Sequence, residues 1–238
     1  DSGIGGVTVF REILSTLPNY SYIYYSDSKN NPYGDKTKEE LISITEDIVC
    51  YLIHEGCKII VIACNTASAI CKDALRSKFD VPIIAIEPAY KMVYDTNFSG
   101  STLVLATKGT LESEKFLELY HKYDNHNTKL YECVGLADLI EQDKKFEIKT
   151  YLHEHLSQFK GVENVVLGCT HYPLIQEEMK EVLGDVHFYD GSRGVVKELK
   201  RVIDKIHLLP TEQHITFIDT SNEPYKKERF EEILKSKN

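Results

Sequence analysis

No apolar run in the chain approaches the roughly 18 residues that cross a bilayer, and no signal-peptide pattern stands at its start. There is no C-x-x-C pair among the 6 cysteines, so neither a zinc ribbon nor a thioredoxin-like motif is supported, and no metal site is expected. Basic charge is not in excess. Lys and Arg number 28 against 37 Asp and Glu, and the formal charge of −9 disfavours nonspecific binding to nucleic acid or to an anionic membrane. Nucleotide-binding glycine patterns are missing too. In Asp1-Ser2-Gly3-Ile4-Gly5-Gly6 the third glycine falls at the wrong spacing for a dinucleotide fold, and Lys108-Gly109-Thr110 reverses the order of a P-loop. No cofactor is expected. An anionic substrate stays open, because helix ends and backbone donors make a site locally positive.

What is present is ordinary globular composition. The 238 residues are 42% hydrophobic and 27% charged, enough for one large domain or two small ones. Cysteines without disulfide-scaffold spacing fit a reducing cytoplasm. Cys50, Cys57, Cys71 and Cys133 read as small buried hydrophobes. Short β-rich runs fall at 21–26, 59–63, 82–86, 101–106, 129–133, 164–168, 186–189 and 214–219. Amphipathic segments with apolar spacings of three and four lie between them at 37–55, 111–123, 171–183 and 193–206. This alternation predicts an α/β fold with mainly parallel sheets and covering helices. Pro88, Asn97, Ser99 and Gly100 mark a crossing between two subdomains, and Asp190–Gly194 a return. The expected division is 1–90 plus 195–238, and 91–194. The tail KKERFEEILKSKN reads as a charged surface helix that frays.

Ligands in such folds sit beyond the carboxyl ends of the strands. Two cysteines fall there. Cys64 closes the run IIVIA and opens NTASA; Cys169 closes NVVLG and opens THYPL. At a strand-to-helix turn, backbone N–H groups and the positive helix end favour a thiolate. Asn65, Thr66 and Ser68 follow the first thiol, and Thr170, His171 and Pro173 the second. His171 can tune or relay the proton of Cys169. One such cysteine would more simply be structural; two in matching settings can work a carbon from both faces. The opening glycine loop reads either as an anion cradle, with Ser2 a donor and Asp1 a carboxylate beside the reaction, or as a tight turn needing positive φ.

The motifs DSGIGG, NPYGDK, ACNTAS and GCTHYPL, in this order and spacing from Asp1 to about Val202, resemble the glutamate racemases of the cofactor-independent Asp/Glu racemase superfamily. The resemblance implies two pseudo-symmetric α/β subdomains with the site in the cleft between them, no cofactor, and a homodimer. It implies that Cys64 and Cys169 exchange the roles of base and acid at the α-carbon of glutamate, giving D-glutamate for peptidoglycan. Asp1 is then expected beside Cys64 and His171 beside Cys169. Substrate contacts fall on Asp1, Ser2, Pro32, Tyr33, Gly34, Asn65, Thr66, Thr170 and His171, with Thr107 and then Thr110 from ATKGT. Glu141 in LADLIEQD is the candidate for a second-subdomain glutamate, against the reading of a solvated helix residue. Lys36 is an electrostatic aid or simply solvated. A strand is expected ahead of Asp1. The alternatives are an aspartate or hydantoin racemase, a hydrolase with Cys169 as nucleophile and His171 as base, and a non-catalytic amino-acid sensor.

Overall fold

A computed structural model describes residues 1–96, 100–124 and 126–236. The crossing at Asn97 and Ser99 lies outside the described residues. The chain runs α1 (Val7–Thr16), β1 (Tyr22–Ser26), α2 (Lys38–His54), β2 (Ile60–Ile62), α3 (Asn65–Lys78), β3 (Ile83–Ala85), α4 (Tyr90–Asp95) and β4 (Thr102–Ala106). It continues through α5 (Lys108–Leu111), α6 (Glu114–Tyr123), β5 (Thr128–Glu132), α7 (Leu136–Glu141), α8 (Lys145–Leu156), β6 (Asn164–Gly168) and α9 (Gln176–Leu183). It ends with β7 (His187–Tyr189), α10 (Ser192–Ile206), β8 (Ile215–Asp219) and α11 (Pro224–Lys235). Each β-rich run of the sequence forms a strand, with no end displaced by more than one residue.

The strands pair in parallel throughout. One sheet has the order β5-β4-β6-β7; β1 pairs with β8, and β2 with β3. β4 and β6 are buried along their whole length, which explains their unbroken apolar runs. β5 is an edge strand with largely exposed side chains. Beneath the four-stranded sheet, Leu103, Leu105, Val165 and Leu167 pack against Leu136, Ile140 and Leu152 of α7 and α8. Residues of β1, β2 and α1 border an apolar cavity of about 590 Å³, with Val9, Phe10, Ile13, Ile60 and Ile62 in its walls. Asp1 borders it and is tied to β1: its backbone nitrogen donates to Tyr25 O, and Asp27 N–H donates to Asp1 O.

Two readings of the sequence change. The charged tail is not only a surface helix: one face of it is docked. Phe230 and Ile233 of α11 are buried against α1 and β8, and Phe230 stacks on Phe217 with ring centroids 4.4 Å apart. Cys71 and Cys133 are buried, whereas Cys50 is exposed and Cys57 half-buried, because they lie toward the solvent side and end of α2. Among the described residues no helix is long and apolar enough to cross a membrane.

Candidate active site

The sheet register assembles the site. Ala106 pairs with Gly168, so Thr107 and Cys169 leave neighbouring strands at the same level. Cys64 leaves β2 and is the N-cap residue of α3. Thr66, in the first turn of that helix, meets Thr107 with hydroxyls 2.9 Å apart. Thr107 also caps α5 by accepting from Thr110 N–H, so its hydroxyl is fixed from both sides. Thr110 is fully buried and serves this turn. A Cβ on Gly34 would meet Thr107 at ordinary van der Waals spacing. The segment carrying Pro32, Tyr33 and Gly34 is anchored by Asp27, a buried carboxylate that the sequence reading missed. Asp27 accepts from Tyr33 OH at 2.7 Å, from Asn30 Nδ2, and from Thr220 Oγ1 at 3.0 Å. Lys36, just past this turn, is half-exposed.

Both thiols are buried. Around Cys64 the favourable groups are the Ala67 N–H and the Ser2 hydroxyl. Burial outweighs them and pushes the Cys64 thiol up. The expectation that a helix end alone would bring this thiol down is thus corrected: desolvation of the charged form is the larger effect. A negative charge on Cys169 pushes Cys64 up further. The site therefore favours one thiolate and one thiol over two thiolates.

The second thiol has a different neighbourhood. His171 Nδ1 lies 3.7 Å from Cys169 Sγ, and His171 Nε2 lies 2.6 Å from Glu141 Oε2. Glu141 is not a solvated helix residue. It is 4% exposed, accepts Ile4 N–H at 2.9 Å, and pairs with Lys226 of α11 through Oε1. Burial alone would raise its carboxyl; His171 and Lys226 more than reverse that and hold it at about 2. Burial likewise opposes charge on His171, but its bonds to Cys169 and Glu141 lift it to about 10. His171 is an imidazolium at neutral pH, with one N–H for each neighbour.

The glycine loop has a role that neither expectation named. Gly3, Gly5 and Gly6 are not at positive φ. A Cβ on Gly3 would overlap the Glu141 carboxylate, and one on Gly5 the His171 ring. The loop is glycine-rich so that backbone can press against this pair, and the anion it cradles through Ile4 N–H is the protein's own Glu141. Asp1 also reaches the second motif. Its carboxylate is bonded to the second motif, accepting from Thr170 Oγ1 at 3.2 Å and from Gly3 N–H at 3.1 Å. Asn65 is buried with Oδ1 unpartnered, an acceptor held free at the thiol level. Lys226 escaped sequence reading because it sits in a charged tail, 85 residues from its partner.

The large apolar cavity is not a fitting place for a polar amino acid. Its walls are mostly aliphatic and aromatic, although Asp1, Tyr33 and Cys64 also line it. Among the described residues no cluster of three or more His, Cys, Asp or Glu side chains could hold a metal ion.

Residues 10–199 match the model of the Asp/Glu/hydantoin racemase family. The chain is 42% identical over 212 residues to a glutamate racemase of Clostridium perfringens (strain SM101 / Type A), covering 86% of this chain and 82% of that one. It superposes on the glutamate racemase of Francisella tularensis subsp. tularensis SCHU S4, solved in complex with D-glutamate, with TM-score 0.82 and 30% identity. That match covers 100% of this chain and 92% of the other. A glutamate racemase isoform from Bacillus anthracis gives TM-score 0.85 at 28% identity, again covering 100% and 92%.

Proposed function

The chain belongs to the Asp/Glu/hydantoin racemase family and is an isomerase, and from that premise we propose that it interconverts L- and D-glutamate by transfer between two thiols. One cysteine, as thiolate, removes the α-proton; the electron pair spreads into the α-carboxylate. The other cysteine, as thiol, delivers its proton to the opposite face and is left as thiolate. The next turnover in the reverse direction starts from that state, so protons and charge balance without a cofactor. The observation that carries this reading is the pair of buried thiols at the exits of β2 and β6, with electrostatics that oppose double ionisation. Burial removes water that would otherwise quench a carbanion-like transition state.

In this reading Asn65 Oδ1 accepts from the substrate ammonium. The hydroxyls of Ser2, Thr66, Thr107 and Thr170 and the turn Pro32-Tyr33-Gly34 hold the two carboxylates. Asp1 orients Thr170, and His171 with Glu141 manages the proton of Cys169. We further propose cytoplasmic D-glutamate supply for peptidoglycan, a homodimer, and the division into 1–90 with 195–238 and 91–194, in line with the separate sheets. The test is α-proton exchange in deuterated water with each enantiomer of glutamate, in wild type and in Cys64→Ser and Cys169→Ser. Wild type must exchange and racemise both; aspartate and a hydantoin run alongside should not compete. A cysteine variant that keeps wild-type turnover in both directions ends the two-thiol reading.

The line Cys169–His171–Glu141 has the connectivity of a hydrolytic triad. This favours a second reading, a Cys–His hydrolase, which would trap as an acyl-enzyme on Cys169. It leaves the buried Cys64 without work, and is the weaker of the two.

A further inference from the structure

Lys226 sits in a position that docking of α11 does not require. The helix is held by Phe230 and Ile233 against α1 and β8. A buried ammonium costs several kcal/mol unless it is well paired, yet Lys226 is only 3% exposed. Its Nζ pairs with Glu141 Oε1. Glu141 Oε2 contacts His171 Nε2, and His171 Nδ1 faces Cys169. Arg229, one turn along α11, pairs with Asp143 at 2.8 Å and donates to Ile140 O at 3.3 Å, fastening the end of α7 that carries Glu141. The last helix thus reaches the second thiol through an unbroken line of buried groups.

Charge counting shows what the ammonium adds. A Glu141–His171 ion pair by itself is neutral, and across 2.6 Å its proton can pass to the carboxylate and leave the imidazole uncharged. With Lys226, two cations flank one anion, and one net positive charge faces Cys169. That sum matches a thiolate there and is balanced by it. We propose that Lys226 is a positioning residue for the Cys169 half of the reaction: its ammonium keeps Glu141 aimed at His171, and His171 charged and aimed at Cys169. The proposal rests on the racemase reading.

The test uses Lys226→Gln, Lys226→Arg and, as control, Phe230→Ala, which loosens the same helix without touching the charge. The readouts are kcat/KM and the α-deuterium isotope effect for each glutamate enantiomer. Because the two enantiomers are equal in free energy, kcat/KM must fall equally in both directions; on the order of 10²-fold is expected for a misplaced proton-transfer group. The isotope effects must diverge. The effect rises for the enantiomer whose proton Cys169 removes, since that step becomes more rate-limiting, and shrinks for the other. Cys169→Ser assigns the enantiomers by which one stops exchanging. Lys226→Arg restores most of the rate and both isotope effects, and Phe230→Ala lowers Tm while leaving them unchanged.

Isotope effects unmoved in Lys226→Gln, or moved as far in Phe230→Ala, overturn the proposal while leaving the racemase standing. No exchange by wild type with either enantiomer removes both. If Lys226→Gln does not fold, Glu141→Gln with Lys226→Met, neutral on both sides, takes its place and must show the same divergence.

Discussion

Cys64 is served mainly by backbone and Cys169 by side chains. The first thiol belongs to the N-cap residue of a helix of 14 residues and has the Ala67 N–H and the Ser2 hydroxyl near its sulfur. The second precedes a single 3-10 turn (Tyr172–Ile175), too short for much of a dipole, and faces His171 with Glu141 and Lys226 behind it. Backbone donors are fixed and cannot titrate, but they are weak against burial. A buried ion chain is stronger, but it titrates and depends on residues from distant parts of the chain. Two thiols for which mirror-image tasks are proposed thus have different supports, and variants in the two neighbourhoods should fail in different ways.

The largest effects fall on the thiols themselves and ignore this asymmetry. Cys64→Ser and Cys169→Ser should each lower racemisation by about 10³-fold or more, since a serine hydroxyl is a far poorer proton acceptor at neutral pH. Each should retain one-sided chemistry on analogues that need only elimination, with opposite enantiomer preference. Equal preference in the two variants would erase the distinction between the sites.

Glu141→Gln comes next and should separate the halves. It leaves Lys226 and His171 as buried cations without an anion, a change that costs about 3–5 kcal/mol of stability and lowers kcat by on the order of 10²-fold. The pH dependence of stability gives a cleaner view. Glu141 is held at about 2, below its unfolded value, so its contribution is present above about pH 4.3 and is lost as pH falls toward 2. His171 is raised to about 10, so its contribution is complete below about pH 6.5 and is lost as pH rises toward 10. Denaturant titrations should show wild type losing stability across both windows and Glu141→Gln showing much flatter limbs. Parallel curves for the two proteins would mean that the ion chain adds nothing to the fold.

The two halves were also unequally legible in the sequence. The strands were readable throughout because buried parallel strands are plain apolar runs, as in NVVLG and TLVLA. Both cysteines were readable because each follows such a run. Thr66 and Thr107 could be named but not joined; only the registers that bring β2 and β4 to the cleft put their hydroxyls 2.9 Å apart. The support of Cys169 was the least visible. Glu141 and Lys226 look solvated in sequence, since nothing local distinguishes a charged residue that turns inward from one that does not. Helix α8 was overlooked, although Ile148, Leu152 and Leu156 at spacings of four are its buried face. The glycines of DSGIGG read in sequence as an anion cradle or as a turn needing positive φ, whereas Gly3 and Gly5 serve close approach to Glu141 and His171, a contact that exists only after folding.

The smallest expected effect probes the backbone-served side alone. Ser2→Ala deletes a hydroxyl near Cys64 and touches none of the ion chain. A polar neighbour of a buried anion is worth about 1.5 kcal/mol, so Cys64 should ionise less readily by roughly tenfold at a given pH. Alkylation by a small neutral reagent, with Cys169→Ser in the background to silence the second thiol, reads this directly. The rate should fall by no more than that factor while the acid and alkaline limbs of the stability curve stay where they were. The restriction follows from the geometry: the Ala67 N–H and the N-terminal end of α3 remain in place, and burial, the dominant influence on Cys64, is unchanged by loss of one oxygen. A loss of several hundredfold would mean that Cys64 depends on a side-chain donor as heavily as Cys169 does, and the contrast between the two thiols would collapse.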